Sequence, residues 1–281
     1  MHPLANLRIV SLAGRLPGPL ALSRLVCLGA VATKIEPVEG DALQRACPRW
    51  YEVLHRGIEV VVRDLKEASG RARLEDLLAS CDLLLTATRP AGLARLGLSW
   101  PELHQRHSRL CQVAIVGHKA PNDERAGHDL TYQAECGLLD PPHLPRALIA
   151  DVAGAHQAVA AALALVLARE RGLGSGYAEV ALAAAAADFA APWHNGLTTP
   201  EGLLGGALPG YNLYRARDGW VAVAALEPQF WQRLGQAVGC DSPSTEQLAA
   251  FFRSGTASEW EAWGRERDVP VAAVRFSATE G

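Results

Sequence analysis

The sequence predicts an α/β fold with a mostly parallel sheet, followed by a smaller α+β domain. Short apolar runs alternate with helical patterns through the first half of the 281 residues, which is the order that βαβ units produce. Hydrophobic residues make up 49% of the chain, enough for a sizeable core. A Gly/Pro-rich stretch then precedes a hairpin pattern. We therefore predict a large domain over residues 1–195, a linker over 196–210 and a small domain over 211–281.

Six segments of the large domain are predicted strands. Each is a short run rich in β-branched and large apolar residues. In chain order these segments are residues 7–12 (LRIVSL), 31–36 (VATKIE), 58–65 (IEVVVRDL), 82–88 (DLLLTAT), 109–117 (RLCQVAIVG) and 177–182 (YAEVAL). Because helical patterns separate most of these segments, neighbouring strands are expected to run parallel.

Several segments between the strands carry apolar residues at helical spacing. Predicted helices cover residues 17–30, 67–81, two short stretches within 89–108, 130–137, 151–172 and the alanine-rich run from 182 to near Pro192. The segment 37–49 is predicted to be a loop. The pattern of 151–172 is apolar almost all round, which predicts a buried helix. Gly172 is suited to end that helix, because glycine tolerates the left-handed conformation found there.

The small domain begins with a clear hairpin signal. YNLYRAR and WVAVAAL are joined by the turn Asp218–Gly219. Two or three helices are predicted after it, in PQFWQRLGQAVG, STEQLAAFFRSG and ASEWEAWGRER. A last apolar run, VPVAAVRF, covers residues 269–276.

Composition narrows the functional class. The formal net charge of -3 gives no general case for nucleic acid or an acidic membrane surface as a partner. The six cysteines show no metal-ligand spacing, so we expect reduced thiols and no metal site. The first residues lack the basic start and long apolar run of a signal peptide. Charges, glycine and proline interrupt the alanine-rich stretches. These observations predict a cytoplasmic protein with no membrane segment.

Asp151 is the first candidate for chemistry, because it stands at the start of the long apolar helix. As an N-cap it would satisfy free backbone N–H groups and contribute roughly 1 kcal/mol. The same position holds a carboxylate ionised at the positive end of the helix dipole, ready to act as a base or nucleophile. The small residues that follow it, Val152 to Ala155, would let a substrate approach.

His128 and Asp129 form a second candidate. Asp129 is predicted to cap the helix LTYQAECG. His128 has no comparable structural role there, and a histidine titrates near neutral pH, which suits a proton carrier. Glu227 lies between a predicted strand and a predicted helix, where it is either a first-turn acid or a catalytic one.

Four cations lie at or near strand-to-helix crossings. In an open α/β sheet, ligands bind at the edge where these crossings lie. The cations are Lys34, Arg45, Arg89 and Arg95. Each alone is typical of a solvated surface, and together they could hold an anionic cofactor.

Taken in order, these segments resemble the class III CoA-transferase family, which includes formyl-CoA transferase, carnitine CoA-transferase and α-methylacyl-CoA racemase. The resemblance covers roughly residues 4 to 275. It is carried by LANLRIVSL, LGAVATKIEPVEGD, RGIEVVVRDLK, RPAGLARLGL, AGHDLTYQAECG, PRALIADVAGAHQAVAAALALVLARERGLGSGYAEVAL and YNLYRARDGWVAVAALEPQFW.

The resemblance implies a Rossmann-like large domain, a smaller domain and two chains interlocked as rings. The implied substrates are coenzyme A, acyl-CoA and carboxylic acids. Asp151 matches the nucleophile of the family's transferases, which would form an anhydride and then a thioester on its carboxyl group. The segment with Gly205 and Gly206 resembles the family's loop over the active site. Lys34, Arg89 and Arg95 are the implied cofactor-binding cations.

Two alternatives to a CoA-transferase remain open. The Gly127–His128–Asp129 motif resembles the racemase branch of the family. In that branch a histidine and the aspartate that matches Asp151 remove and supply the proton α to the thioester carbonyl. The segment EPQF, with Glu227, also resembles that branch. Ala87 and Thr88 replace the family's asparagine and aromatic residue, so a non-catalytic subunit or binding module is the other alternative. The implied partner is a second copy of the chain or a full-length family member.

Overall fold

A computed structural model of the chain describes residues 2–275, and the chain divides into two compact units between Ala190 and Ala191. The final residue of the last predicted apolar run, Phe276, lies outside the described residues. The finer boundaries at residues 195 and 210 stay a prediction.

The first unit is built on a six-stranded parallel sheet. Its strands are β1 (Arg8–Ser11), β2 (Val31–Glu36), β3 (Ile58–Val62), β4 (Leu83–Thr86), β5 (Cys111–Val116) and β6 (Tyr177–Ala181). The strand order is β3-β2-β1-β4-β5-β6, and every pairing is parallel. This doubly wound order reverses direction between β1 and β4, so the loops after those strands diverge there. The predicted α/β class is confirmed.

The helices of this unit follow the predicted pattern with two additions, both between β2 and β3, and the last helix runs past Ala190. They are α1 (Pro17–Cys27), α2 (Ala42–Ala46), α3 (Pro48–Leu54), α4 (Ala68–Leu78), α5 (Pro90–Arg95), α6 (Trp100–Arg106), α7 (Asp129–Glu135), α8 (Ile149–Glu170) and α9 (Leu182–His194). The prediction that 37–49 is a loop was wrong. Asp41 caps α2 by accepting the N–H of Leu43 at 2.9 Å, and Pro48 starts α3.

The long helix α8 is buried along one side only, so the expectation of a helix buried all round was wrong. Its buried face consists of alanines and a glycine: Ala150, Ala153, Gly154, Ala155, Ala158 and Ala162. Leu167 is 51% exposed. A helix in one layer of an α/β fold presents a single face to the sheet, here to β5 and β6. By length and composition α8 could cross a membrane, so the sequence expectation of no such segment stays a prediction.

Both faces of the sheet are covered. Ile9, Leu83 and Val113 point to the core that contains α1 and α8, whereas Val10 and Leu84 point to the core beneath α4, α5 and α6. Strands buried on both faces explain the nearly continuous apolar runs in the sequence. Because both faces are packed, the carboxyl ends of the strands, where the connecting loops diverge, are the place to look for a ligand site.

The second unit is a small α+β fold, as predicted. It contains one π-helical turn (Leu203–Ala207), β7 (Tyr211–Arg215), β8 (Trp220–Ala224), α10 (Pro228–Val238), α11 (Thr245–Arg253), α12 (Ala257–Arg267) and β9 (Val271–Ala273). The predicted hairpin is the antiparallel pair β7 and β8. Aromatic contacts organise its core: Phe252 stacks on Tyr214, and Trp260 donates its indole N–H to the Phe252 carbonyl at 2.7 Å.

We predict that Gly70→Ala destabilises the protein by about 1–3 kcal/mol. A Cβ atom at position 70 would overlap the backbone oxygen of Asp64, which cannot move aside as a flexible side chain would. In the control Gly219→Ala, the new Cβ meets only the Cβ of Ala257 at 3.8 Å. Urea unfolding curves of both variants check the prediction, and equal stability of Gly70→Ala and wild type would contradict it.

Candidate active site

A cavity of about 800 Å³ opens at the carboxyl end of the six-stranded sheet. Its wall is built by the loops after β1 to β5 and by the first turns of α7 and α8, all within the first unit. This is the edge at which open α/β sheets bind ligands, and the volume suits a small-molecule site of roughly 300–1,000 Å³. Asp151, His128, Lys34, Arg89 and Arg95 all line it, so the fold brings these five predicted residues to one cavity.

Asp151 lies in the first turn of α8, as its third residue, and its carboxylate faces the cavity. It is not the N-cap, which is Leu148, because the helix begins two residues before Asp151. Burial and the neighbouring Asp129 carboxylate raise the pKa of Asp151 to about 6, and Arg15 lowers it. The group is thus ionised at neutral pH but only weakly solvated.

Asp129 links α7 to α8. Its buried carboxylate accepts the backbone N–H of Asp151 at 3.0 Å and a hydrogen bond from the side-chain amide of Gln133. The prediction that Asp129 caps α7 was wrong, because Asp129 is the first residue of that helix and satisfies a free N–H of α8 instead. The position of the Asp151 backbone therefore depends on the carboxylate of Asp129.

His128 occupies the N-cap position of α7, and its backbone N–H donates to Thr131 Oγ1 at 3.0 Å. The imidazole is exposed in the cavity wall, and its Nδ1 lies 3.5 Å from Nη1 of Arg15. A guanidinium can only donate hydrogen bonds, so this contact requires an unprotonated Nδ1. His128 therefore faces a fixed positive charge.

Arg15 is a cavity residue that the sequence analysis did not single out. It follows β1, at the centre of the sheet, and has a left-handed backbone with φ of 61°. Its backbone N–H donates to Oδ1 of Asp41 at 3.0 Å. Its side chain is exposed, and within residues 2–275 no carboxylate forms an ion pair with it. In the sequence, Arg15 is distinguished by its place in the loop after a predicted strand, a feature that many surface residues share.

Tyr132 is a second such residue. Its ring is buried between Gly117 and Gly127, where a Cβ atom on either glycine would overlap it. Burial and the charge of Asp151 raise the pKa of the Tyr132 hydroxyl, which lines the cavity. Tyr132 follows His128 by four residues, which places both side chains on one face of α7. This spacing could have indicated from the sequence that Tyr132 belongs to the site.

Lys34 is fully buried beneath the cavity, at the centre of a polar cluster. Its ammonium nitrogen lies 2.5 Å from Oδ2 of Asp41 and 2.8 Å from Oε1 of Glu36. It also lies 3.0 Å from Nε2 of His55, and burial lowers the pKa of this imidazole. Tyr51 donates its hydroxyl to Glu36 at 2.8 Å. Because the charge of Lys34 is already balanced, this geometry favours a structural role over its predicted role in binding an anion.

Six further cations line the cavity, and five of them are exposed and form no ion pair with a described residue: Arg45, Arg63, Lys66, Arg89 and Arg95. The sixth, Arg125, is paired with Glu135 at 2.8 Å. Arg45, Arg63 and Lys66 follow β2 and β3, whereas Arg89 and Arg95 follow β4. The cavity therefore has free positive charge on both sides of the β1 loop. A role for Arg89 and Arg95 in cofactor binding stays a prediction.

Comparisons with known proteins fit this geometry. The family model of CoA-transferase family III matches residues 4–279, which is nearly the whole chain. The chain belongs to CoA-transferase family III. Human alpha-methylacyl-CoA racemase is 29% identical to it, over 92% of this chain and 74% of the racemase. The probable fatty acyl-CoA transferase Rv3272 of Mycobacterium tuberculosis is 27% identical, over 90% of this chain and 73% of that protein.

Solved structures show the same fold. A crystal structure of Rv3272 aligns with a TM-score of 0.85, covering 98% of this chain and 84% of that one at 23% sequence identity. A CaiB/BaiF family protein from Brucella suis aligns with a TM-score of 0.79. Relatives of this family III chain thus carry both transferase and racemase names, and acyl-CoA chemistry is common to both.

Three predicted site residues of this family member lie in its second unit. Glu227 is the exposed N-cap of α10 and makes no side-chain capping bond. Gly206 has φ of 121°, and a Cβ atom on Gly205 would overlap the carbonyl oxygen of Thr199. Both glycines are therefore required by the local backbone of the π-helical turn. The functional roles predicted for these three residues stay predictions.

Within residues 2–275, no group of three or more His, Cys, Asp or Glu side chains has an arrangement that could hold a metal ion. The six cysteines are free thiols in that part of the chain.

We predict that Lys34→Met lowers the free energy of unfolding by about 3–5 kcal/mol. The substitution leaves the carboxylates of Glu36 and Asp41 buried without a counter-charge. The control Lys66→Met removes an exposed ammonium and should change stability by less than about 1 kcal/mol. Denaturant unfolding at pH 7 measures both; similar values for the two variants would contradict a structural role for Lys34.

Proposed function

We propose that the protein is a CoA-transferase that moves CoA between carboxylic acids through a covalent intermediate on Asp151. The observation that carries this proposal is the Asp151 carboxylate itself, held at the start of α8 and facing the cavity, with a pKa raised to about 6. Such a group is ionised at pH 7, and partial desolvation leaves it more nucleophilic than a hydrated carboxylate.

The first half of the reaction would load the enzyme. A carboxylate oxygen of Asp151 attacks the thioester carbonyl of the donor acyl-CoA, and the carbon–sulfur bond breaks to give an acyl-aspartyl anhydride and CoA thiolate. The thiolate then attacks the aspartyl carbonyl carbon and displaces the donor acid. This leaves CoA on Asp151 as a thioester, with no net change in protons.

The second half repeats these steps in reverse order. The acceptor carboxylate attacks the aspartyl thioester, releasing thiolate and forming a new anhydride. The thiolate attacks the acceptor's acyl carbon, which produces the new acyl-CoA and restores Asp151. Each half of the reaction thus consists of two displacements at a carbonyl carbon. These steps are easier than a direct exchange of CoA between the two acids. The backbone of Asp151 stays fixed through this cycle because Asp129 holds its N–H.

The cavity offers places for both parts of the substrate. The exposed cations after β2 and β3, Arg45, Arg63 and Lys66, suit the phosphates of CoA. Asp151 and His128 lie with Arg15 at the side of the cavity nearest the β1 loop, where the thioester would be placed. Assembly as a homodimer or with a full-length family member, and a cytoplasmic location, also remain part of the proposal.

A racemase is the second candidate, and one observation favours it. His128 and Asp151 line the same cavity. A racemase requires such a pair, because one group removes a proton from one face of the α-carbon and the other supplies a proton to the opposite face. The similarity to the human racemase supports it as well. The contact of His128 Nδ1 with the Arg15 guanidinium is less favourable for a racemase, because the Nδ1 lone pair that accepts from Arg15 is not available to take a proton from the substrate.

We predict that, when the enzyme is incubated with an acyl-CoA donor, hydroxylamine attacks the activated carboxyl group of Asp151 and converts it to a hydroxamate. Asp151→Asn should abolish both this modification and CoA exchange. Mass spectrometry of the modified peptide and an exchange assay with two acids check this. Asp140→Asn is the control, because its carboxylate is 97% exposed and outside the cavity wall.

Two outcomes would contradict the transferase. One is deuterium wash-in at Cα of a 2-methylacyl-CoA that is lost in His128→Ala, without any hydroxamate on Asp151, which would show a racemase. The other is the absence of CoA binding in calorimetry, which would leave a non-catalytic subunit.

We predict that the rate of the loading step falls about tenfold per pH unit below a midpoint near pH 6, because the protonated Asp151 cannot attack. The neighbouring anion Asp129 raises the pKa of Asp151, so Asp129→Asn should move this midpoint to lower pH. Asp123→Asn also removes an acid of the cavity wall but should leave the midpoint unchanged. Single-turnover rates across pH 4.5–8 give the midpoints; equal midpoints in wild type and Asp129→Asn would refute the coupling.

A further inference from the structure

The guanidinium of Arg15 is not explained by the transfer chemistry itself. It lies in the cavity wall, and none of the carboxylates in residues 2–275 pairs with it. Its nearest side-chain partner is the imidazole of His128, at 3.5 Å. A guanidinium offers a planar fork of donors that matches a carboxylate. An unpaired one in a binding cavity therefore indicates an anionic group on the ligand.

The backbone of Arg15 is held in place by buried charge. Its left-handed φ of 61° is unfavourable for a residue with a side chain. The N–H of Arg15 donates to the Asp41 carboxylate, which is in turn fixed by the buried ammonium of Lys34. Since this arrangement over-determines a strained conformation, the direction of the Arg15 side chain is a constrained feature of the fold.

Arg15 lies close to the reacting carboxylate. Among the charges that act on Asp151, Arg15 is the cation that lowers its pKa. Its contact with His128 places it at the same side of the cavity. An anion bound by Arg15 would therefore lie on the same side of the cavity as the reacting carboxylate.

The phosphates of CoA do not meet this condition. In CoA a long uncharged arm separates the phosphates from the sulfur. Arg63 and Lys66 follow β3, which is two strands away from β1 and so roughly 10 Å along the sheet. Those cations suit the phosphates, and the anion facing Arg15 must belong to the acyl part.

We propose that Arg15 binds a second, non-reacting carboxylate on the acyl group of the donor, so that the preferred donors are mono-CoA thioesters of dicarboxylic acids. This inference rests on the transferase function proposed above and names the substrate class of that same site. Arg15 acts as a specificity-determining residue, and the bond-making steps on Asp151 do not change.

The test compares succinyl-CoA with butyryl-CoA, donors with the same four-carbon chain that differ in a terminal carboxylate. Exchange kinetics are measured for wild type, Arg15→Leu, Arg15→Lys and the control Arg24→Leu, which removes an exposed guanidinium outside the cavity wall. Wild type should prefer succinyl-CoA. Arg15→Leu should lower the ratio of kcat/KM for succinyl-CoA to that for butyryl-CoA by about tenfold or more, because one charge-assisted pair is lost. A change in the ionisation of Asp151 would affect both donors alike and cancels in this ratio. Arg15→Lys should recover part of the preference.

The outcomes separate this inference from the proposed function. Equal losses on both donors in Arg15→Leu would overturn the inference and show a role in the transfer steps, with the transferase itself intact. Equal wild-type rates on both donors would also overturn it. If neither donor leads to a hydroxamate on Asp151 of the wild-type protein, the transferase proposal fails, and the inference fails with it.

Discussion

The buried ammonium of Lys34 is the interaction on which the active-site edge depends. Desolvation of one ammonium and two carboxylates is costly, and only close mutual contacts compensate for it. Glu36 and Asp41 provide those contacts at 2.8 and 2.5 Å. Because Asp41 also caps α2 and holds the N–H of Arg15, the end of β2, the following helix and the β1 loop are fixed together. A cavity with a defined shape follows from that arrangement.

Opposed effects set the pKa of the Asp151 carboxylate in the cavity. Burial and the charge of Asp129 favour the protonated form of Asp151, and Arg15 favours the ionised form. Asp129 acts both on the charge of Asp151 and on its position, since it also accepts the Asp151 N–H. A residue first interpreted as an ordinary helix cap is thus an electrostatic neighbour of the candidate nucleophile. This coupling makes the pH dependence and the geometry of the site inseparable.

Local patterns predicted most of the fold. Every strand of the parallel sheet was identified, because strands covered on both faces are nearly continuous apolar runs, and the Asp218–Gly219 turn marked the hairpin. The errors arose where distant residues decide the outcome. The helix α2 depends on a cap that is itself held by Lys34, and the exposed side of α8 depends on which neighbours cover it.

By itself, the sequence determined the α/β class, the smaller α+β unit, the family resemblance and the candidacy of Asp151 and His128, because these follow from periodicity, residue type and motif order. Only the tertiary structure decided that the charge of Lys34 is balanced by buried carboxylates, that Asp129 caps a different helix from the one it begins, and that Arg15 contacts His128 in the cavity wall. Those facts depend on contacts such as that between residues 15 and 128, which are far apart in the chain. Charge balance and burial are properties of three-dimensional neighbours, so no local pattern encodes them.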